Sequence, residues 1–365
     1  MATRPPRILL SGGGTGGHLF PALAIAEEIQ KLEPATEFLF VGTQGKIEAR
    51  VVPERGYPFR SIWISGFHRR LTIDNLLFPV KVIVSLVQSL LLLRKFRPDV
   101  VVGTGGYVCG PVLFMATWLG IPTVVHESNS YPGITTRLLA SRVRKVFTAF
   151  ESTKNRLPSA VNVELVGTPT RNVLGSVSQK EGRIFFGLEE HQPALLIVGG
   201  SLGAASINSA VLSSLDLLTG SGIQLIWQTG QSDHERVQLE LGSRRVGWVG
   251  PFIDRMEFAF GAADAVACRA GATTLAELTR IGKPAILVPY PHAAADHQRH
   301  NARAMAAAGA GIMIEDHEVA QKFGRSVIDL LNDTPRLKAM SSASRALGRP
   351  DAGPVIAHKV LEFLR

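Results

Sequence analysis

The chain of 365 residues has only two cysteines, few aromatic residues and no long hydrophobic run free of polar interruptions. Cys109 and Cys268 lie far apart without metal-ligand spacing, which argues against a disulfide framework and favours a reduced, cytosolic protein. The opening residues, MATRPPRILLSGGG, contain too short an apolar run for a signal peptide, so none is expected. Charged residues make up 19% and hydrophobic residues 45% of the chain, which excludes wholesale disorder.

Positive charge is concentrated in the first half of the chain. Residues 1–170 contain 19 Lys and Arg against 11 Asp and Glu, whereas the remainder contains 20 against 19. A basic half favours an anionic partner, such as a nucleic acid, a phosphorylated substrate or an anionic membrane. A basic solvated face is the alternative, because charge alone does not separate the two.

Short apolar runs alternate with helical patterns along both halves of the chain. The first half contains RILL, EFLFVG, DVVVG, PTVVHE and KVFTAF, and the plan restarts at residue 195 with LLIVGGSLGAASINSAV. Such alternation predicts an α/β protein with parallel sheets. We expect two Rossmann-like domains, residues 1–170 and 171–345, that face each other across a deep cleft. Residues 346–365 are expected to form a helix that packs back on the first domain.

A glycine-rich loop, SGGGTGGHLFPALAIAEEI, follows the first predicted strand. Gly12, Gly14 and Gly17 match the G-x-G-x-x-G pattern of dinucleotide-binding folds. The second strand, however, ends in FLFVGTQG without the acid that holds a dinucleotide ribose, and His18 stands where a P-loop has lysine. The loop is therefore interpreted as a backbone cradle for a phosphate or another anion.

Two further loops share this composition, GTGGYVCGP at 103–111 and GGSLGA at 199–204. A tight strand-to-helix turn is the alternative for each loop taken alone. Three loops in equivalent positions favour ligand binding at the carboxyl ends of the strands.

The second half contains a strand, AVAC, that runs into RAGATT and a predicted helix, TLAELTRIG. Ala272, Thr273 and Thr274 would present backbone N–H groups to a diphosphate at the helix start. Glu277 is expected in the first helical turn, where it could accept hydrogen bonds from ribose hydroxyls. The alternative is an ordinary acidic residue that the helix dipole stabilises near the helix start. The loop after the next strand offers polar groups that suit sugar hydroxyls better than a metal, namely Asp296, His297 and Gln298.

Residues 76–93 are almost continuously apolar and near the lower length limit for a membrane span. Polar residues interrupt the run, and four of them share one helical face, which predicts an amphipathic helix; they are Lys81, Ser85, Gln88 and Ser89. Basic residues surround it, namely Arg69, Arg70, Lys81, Arg94, Lys95 and Arg97. This pattern favours docking onto anionic lipid headgroups. The alternative is a core helix whose apolar face is buried within the first domain.

Taken together, the motifs resemble one family of GT-B glycosyltransferases. The stretch from RAGATT to HAAADHQRHN resembles a GT-B donor site, and the glycine loops, HESN and GTPTR occur in the order found in the MurG family. These enzymes transfer N-acetylglucosamine (GlcNAc) from UDP-GlcNAc to lipid I, undecaprenyl-pyrophosphoryl-N-acetylmuramyl-pentapeptide, and so complete lipid II. The match spans nearly the full length.

The resemblance implies a set of substrate-binding residues. UDP-GlcNAc would contact Thr15, Gly16, Gly17, Asn129, Arg171, Ser201, Ile253, Ala272, Thr273, Thr274, Leu275, Ala276, Glu277 and Gln298. Ile253 would hold the uracil through its backbone, and Ser201 and Arg171 would lie near the diphosphate. The acceptor diphosphate would lie against Gly14, Gly105, Gly106 and Tyr107.

By the same resemblance, the muramyl 4-hydroxyl would attack the anomeric carbon of the donor with inversion, and His18 is the candidate base. A helix-capping role is the alternative for His18. No cofactor and no tightly held metal is expected, because helix dipoles and Arg171 would meet the diphosphate. The expected location is the cytoplasmic side of the cell membrane, as a peripheral protein with other cell-wall synthesis proteins as partners and no nucleic acid.

Three other functions compete with this interpretation. Another UDP-sugar enzyme of the same fold, such as a diacylglycerol glucosyltransferase or a UDP-GlcNAc 2-epimerase, would share the donor site. A nicotinamide oxidoreductase would use the first glycine loop, against which the missing acid argues. A non-catalytic nucleotide-binding module is disfavoured because both halves of the chain carry a complete set of ligand-binding loops, whereas binding a nucleotide alone would need only one set.

Overall fold

The computed structural model describes residues 4–66, 77–171, 173–200, 203–293 and 296–364. The chain divides into two compact units, one formed by residues 1–170 with 350–365 and the other by residues 171–349. Each unit is built on a parallel sheet flanked by helices. The prediction of two Rossmann-like α/β domains is confirmed.

The sheet of the first unit has, among the described residues, seven parallel strands in the order β3-β2-β1-β4-β5-β6-β7. They are β1 (Arg7–Ser11), β2 (Glu37–Gly42), β3 (Phe59–Ser61), β4 (Val100–Gly103), β5 (Thr123–Glu127), β6 (Lys145–Thr148) and β7 (Val163–Leu165). Strand β1 pairs with β2 on one side and with β4 on the other. The strand order reverses at this point, and ligands of open α/β sheets bind at the carboxyl ends there.

Helices cover both faces of this sheet. They are α1 (Gly16–Leu32), α2 (Ile47–Glu54), α3 (Phe78–Phe96), α4 (Cys109–Trp118), α5 (Ile134–Leu139), α6 (Glu151–Lys154) and, from the end of the chain, α16 (Ala352–Leu361). One core contains side chains of β1, α1 and α16, including Ile356 and Val360. The other core contains Leu9, Val101 and side chains of α3 and α4. The final helix thus belongs to the first unit and packs against α1.

Helix α3 turns its polar side chains inward. Lys81, Ser85 and Ser89 are buried, whereas Ile83 and Leu91 are 64% and 61% exposed. The buried serines are satisfied locally, because Ser85 Oγ donates to the carbonyl of Val82 (2.8 Å) and Ser89 Oγ to that of Ser85 (2.7 Å). The core therefore accounts for the partly buried apolar residues of α3 but not for its outward stripe.

That outward stripe consists of Val80, Ile83, Val87 and Leu91, each about half exposed or more. Among the described residues, none of the helices is both long and apolar enough to span a membrane. Residues 67–76, which include the basic Arg69 and Arg70, lie outside the described residues.

The second unit has, within its described residues, six parallel strands in the order β10-β9-β8-β11-β12-β13. They are β8 (Ala194–Val198), β9 (Gln224–Gln228), β10 (Gly247–Gly250), β11 (Ala265–Cys268), β12 (Ala285–Leu287) and β13 (Gly311–Met313). The helices are α7 (Gln179–Phe186), α8 (Ala205–Ser213), α9 (Leu215–Gly220), α10 (His234–Leu241), α11 (Met256–Ala262), α12 (Ala272–Ile281), α13 (His297–Ala307), α14 (Val319–Leu331) and α15 (Thr334–Leu347). The order reverses between β8 and β11, which repeats the plan of the first unit.

Both cysteines are buried, one in each unit. Burial raises the pKa of the Cys109 thiol to about 11 and that of Cys268 to about 12. Thiols with such pKa values are mostly protonated at neutral pH and are poor nucleophiles.

Candidate functional site

The first glycine-rich loop connects β1 to α1. Helix α1 begins at Gly16, directly after Thr15, whose backbone is extended. Gly12 lies so close to the second loop that a Cβ atom there would be 2.0 Å from Oγ1 of Thr104. Gly14 has a φ of +85°, in the left-handed region that favours glycine. The loop thus presents bare backbone beside a helix N-terminus, an arrangement that suits an anion.

The second glycine-rich loop, between β4 and α4, lies against the first. Gly105 and Gly106 both have positive φ, and a Cβ at Gly106 would be 2.4 Å from the carbonyl oxygen of Gly13. The ring of Tyr107 would lie 3.2 Å from a Cβ at Gly14. The structure therefore brings together the four residues that the sequence analysis assigned to the acceptor diphosphate.

His18 lies in the first turn of α1 and contacts the second loop. Its Nδ1 is 3.0 Å from the carbonyl oxygen of Thr104, and Thr104 Oγ1 donates a hydrogen bond to the carbonyl oxygen of His18 (2.7 Å). A carbonyl oxygen only accepts, so in the neutral ring the proton resides on Nδ1 and the lone pair on Nε2. This tautomer is the one that a general base acting through Nε2 requires.

The N–H of Gly14 is engaged within the protein. It donates to the carboxylate of Glu48, 3.1 Å from each oxygen. Gly14 therefore contributes the shape of the first loop, and its N–H is not directed at a ligand. Sequence reasoning missed Glu48; its position in the first turn of α2, just after β2, was the available signal.

Asn129 follows β5 and is held by a second buried carboxylate. Its backbone N–H and its Nδ2 donate to Oε1 of Glu127 at 3.0 and 3.1 Å. The other oxygen of Glu127 accepts from the N–H of Gly133 (2.9 Å) and the hydroxyl of Thr136 (2.6 Å). The sequence analysis gave a role only to Asn129; an acid that ends a buried strand was the signal for Glu127.

In the second unit, α12 begins at Ala272, directly after the extended Gly271. The helix starts two residues earlier than predicted, so the expectation that Glu277 lies in the first turn was wrong. Thr273 and Thr274 lie in that first turn beside Ala272. The side chain of Leu275 belongs to the core, and its N–H donates to the carbonyl of Gly271 (3.0 Å).

Glu277, in the second turn of α12, is buried and paired with Arg171. Its Oε1 accepts from Nε (3.0 Å) and Nη2 (2.7 Å) of that arginine. Burial raises the pKa of the Glu277 carboxyl, and the guanidinium of Arg171 opposes this effect. The two residues assigned separately to ribose and diphosphate thus contact each other within the second unit.

The remaining donor residues lie in separate elements, Ile253 in the loop after β10 and Gln298 in the first turn of α13. The N–H of Ile253 donates to Oε1 of Gln228 (2.9 Å), whose Nε2 donates to the carbonyl of Gly200 (2.9 Å). Gln228, at the end of β9, was not predicted from the sequence, because its partners Gly200 and Ile253 are distant from it in the chain. Gln298 accepts a hydrogen bond from the N–H of Tyr290 (3.0 Å). Ser201 lies outside the described residues.

Comparisons with known proteins match both units. The model of the glycosyltransferase family 28 N-terminal domain matches residues 8–148, and that of the C-terminal domain matches residues 194–353. A Chlorobaculum parvum protein named UDP-N-acetylglucosamine--N-acetylmuramyl-(pentapeptide) pyrophosphoryl-undecaprenol N-acetylglucosamine transferase is 45% identical, over 97% of this chain and 98% of its own. A Bacillus subtilis protein of the same name is 40% identical, over 98% and 99%.

Solved structures resemble the chain over nearly its whole length. The crystal structure of Acinetobacter baumannii MurG has a TM-score of 0.77 and 27% identity, and the match covers 98% of this chain and 100% of that one. A co-structure of S. aureus MnaA with UDP has a TM-score of 0.72 over 98% and 97% of the two chains. At 15% identity, the second likeness concerns the fold alone.

Proposed function

The chain belongs to glycosyltransferase family 28, and from that premise we propose how its residues carry out the family's transfer reaction. It is a UDP-GlcNAc-dependent hexosyltransferase that transfers N-acetylglucosamine to undecaprenyl-pyrophosphoryl-N-acetylmuramyl-pentapeptide, converting lipid I to lipid II for peptidoglycan synthesis. It resembles the transferases of this name over almost its whole length, at 40–45% identity.

The donor is assigned to the second unit. The N-terminus of α12, at Ala272, Thr273 and Thr274, supplies backbone N–H groups and a helix dipole to the diphosphate. Glu277 binds the ribose hydroxyls, and Arg171 neutralises charge that develops on the departing UDP. Ile253 holds the uracil through its backbone carbonyl, because its N–H already donates to Gln228. Gln298 and, from the first unit, Thr15, Gly16, Gly17 and Asn129 contact the GlcNAc.

The acceptor is assigned to the first unit. The observation that carries this assignment is the meeting of the two glycine loops around His18, at the reversal point of the sheet. The lipid-linked diphosphate lies against Gly105, Gly106 and Tyr107. The muramyl 4-hydroxyl loses its proton to Nε2 of His18 while its oxygen bonds to the anomeric carbon, and UDP departs with inversion of that carbon.

Ligand binding separates this function from the oxidoreductase alternative. We expect calorimetry to detect binding of UDP-GlcNAc and no binding of NADH, because β2 ends in FLFVGTQG without an acid that could hold a dinucleotide ribose. Binding of NADH with higher affinity than UDP-GlcNAc would contradict the assignment.

The first unit is further assigned to peripheral docking on the cytoplasmic surface of the membrane. The outward stripe of α3 exposes Val80, Ile83, Val87 and Leu91 to solvent. Arg94 and Lys95 extend from the last turn of the same helix. Apolar side chains that enter the headgroup region and basic side chains that meet anionic lipid would together give reversible binding beside the lipid-linked acceptor.

Vesicle sedimentation tests this surface. Replacing Arg94 and Lys95 by Glu should weaken binding to phosphatidylglycerol-containing vesicles by about tenfold or more, since each basic residue near the surface contributes about 1 kcal/mol. Replacing Ile83 and Leu91 by Ser should also weaken it, whereas Leu239→Ser, an exposed leucine of the second unit, should not. UDP-GlcNAc affinity should be unchanged in all three. Equal binding of wild type to neutral and anionic vesicles, unaffected by either pair of substitutions, would show that this face is only solvated.

A further inference from the structure

Glu48 is a buried carboxylate that reaches from α2 into the first glycine loop. Only 1% of the residue is exposed. Its Oε1 accepts hydrogen bonds from the backbone N–H (3.0 Å) and the hydroxyl (2.7 Å) of Thr43, just after β2. Both carboxylate oxygens lie 3.1 Å from the N–H of Gly14. One side chain therefore ties the end of β2 to the turn that precedes α1.

The surrounding glycines leave room for this carboxylate. A Cβ at Gly13 would be 2.3 Å from Oε1 of Glu48, and a Cβ at Gly42 would be 2.5 Å from its Cγ. The position of Glu48 is therefore sufficient to explain the lack of a side chain at Gly13. Part of the bare backbone in the first loop serves an internal anion.

Burial of a carboxylate is costly unless hydrogen bonds replace its hydration. Every partner that the structure describes for Glu48 is a neutral N–H or O–H group of Thr43 or Gly14. Two of these three donors are backbone groups, so the carboxylate fixes the course of the chain at 13–14 and at 43. The bond from Gly14 to Glu48 holds Gly14 in its left-handed conformation, two residues before α1 begins at Gly16.

We propose that Glu48 is the positioning residue of the first glycine loop for the lipid-linked acceptor, an inference that rests on the function proposed above. By taking the N–H of Gly14, it sets the turn from which Thr15 leads into α1 and from which His18 reaches Thr104. The acceptor diphosphate is left to the N–H groups of the second loop and of the start of α1. Glu48 itself touches neither substrate.

The variant Glu48→Gln tests this role, because it keeps the size of the side chain but turns an NH2 group toward N–H donors. With a short-chain lipid I analogue, we expect kcat/KM for the acceptor to fall by about tenfold or more. The Kd of UDP-GlcNAc, measured by calorimetry, should stay within about twofold of wild type, because its diphosphate and ribose are assigned to the second unit.

The matched control is Glu28→Gln, which removes another buried carboxylate of the first unit, one that pairs with Lys31 on α1. It should leave the acceptor kcat/KM near the wild-type value. Thr43→Val, which removes one donor to Glu48, should lower the acceptor kcat/KM selectively but by a smaller factor than Glu48→Gln. Thr43→Ser, which keeps the hydroxyl, should retain the wild-type acceptor kcat/KM. If Glu48→Gln does not fold, the acceptor kcat/KM of Thr43→Val tests the proposal in its place.

Two outcomes would overturn the proposal. One is an acceptor kcat/KM within twofold of wild type in Glu48→Gln, or in Thr43→Val if that variant is the one that folds. The other is a parallel loss of donor affinity, acceptor kcat/KM and Tm that Glu28→Gln matches. If the wild-type protein itself fails to glycosylate the acceptor analogue, the proposed function fails instead, so the two failures are distinguishable.

Discussion

Replacing His18 by alanine is expected to lower kcat by about 10²-fold or more while the affinity for UDP-GlcNAc stays close to wild type. The carbonyl of Thr104 holds the proton on Nδ1, and Nε2 is the nitrogen that we propose accepts the proton of the attacking hydroxyl. The diphosphate and ribose of the donor are assigned to the second unit, so removal of the imidazole should affect turnover and not nucleotide binding.

His18→Asn separates a base from a structural histidine. The asparagine amide can still donate a hydrogen bond to the carbonyl of Thr104, but it has no basic nitrogen in place of Nε2. If His18 is the base, the kcat of this variant should be as low as that of His18→Ala in steady-state assays with saturating substrates. If either variant retains near-normal turnover, His18 has only a capping role at the start of α1.

Replacing Glu277 by alanine is expected to weaken UDP-GlcNAc binding by roughly 1–3 kcal/mol, about five- to 150-fold, because ribose hydroxyls lose their acceptor. The pair with Arg171 adds a second consequence. Without Glu277, the guanidinium loses the carboxylate 2.7 Å away that balances its charge, so it should attract the donor diphosphate more strongly. The stronger attraction to the diphosphate would offset part of the affinity lost at the ribose. It would affect the binding of UDP and not that of uridine, which has no phosphate.

Calorimetry with uridine, UDP and UDP-GlcNAc resolves the two effects. Glu277→Ala should weaken uridine binding most, since uridine has the ribose but no phosphate. Glu318→Gln, which alters a partly exposed carboxylate paired with Lys322, should bind all three ligands like wild type. Unchanged uridine affinity in Glu277→Ala would remove the ribose assignment and leave Glu277 as the partner of Arg171.

The fold could be predicted from the sequence because its signals are local. Each buried strand of a parallel sheet is a short apolar run, and glycine-rich turns mark where strands lead into helices. The restart at residue 195 placed the second sheet correctly. The start of α12 was predicted two residues late because Ala272 and Thr273 carry no distinct capping signal; Gly271 caps the helix without a side chain.

The orientation of α3 and the bracing of the loops depend on contacts that local patterns do not contain. A polar stripe normally faces water, but Ser85 and Ser89 can turn inward because their hydroxyls bond to carbonyls of their own helix. Glu48 meets Gly14 from 34 residues away, and Glu277 meets Arg171 from 106 residues away. The first pair is set by the strand order, which brings the loops after β1 and β2 side by side, and the second joins α12 to the segment that precedes α7.

Incubation of the purified chain with UDP-GlcNAc and a short-chain lipid I analogue tests the central claim most directly. Mass spectrometry of the acceptor should show the addition of one N-acetylhexosamine, with one UDP released for each product formed. Conversion of UDP-GlcNAc to its 2-epimer, or its consumption without glycosylation of the acceptor, would contradict the account.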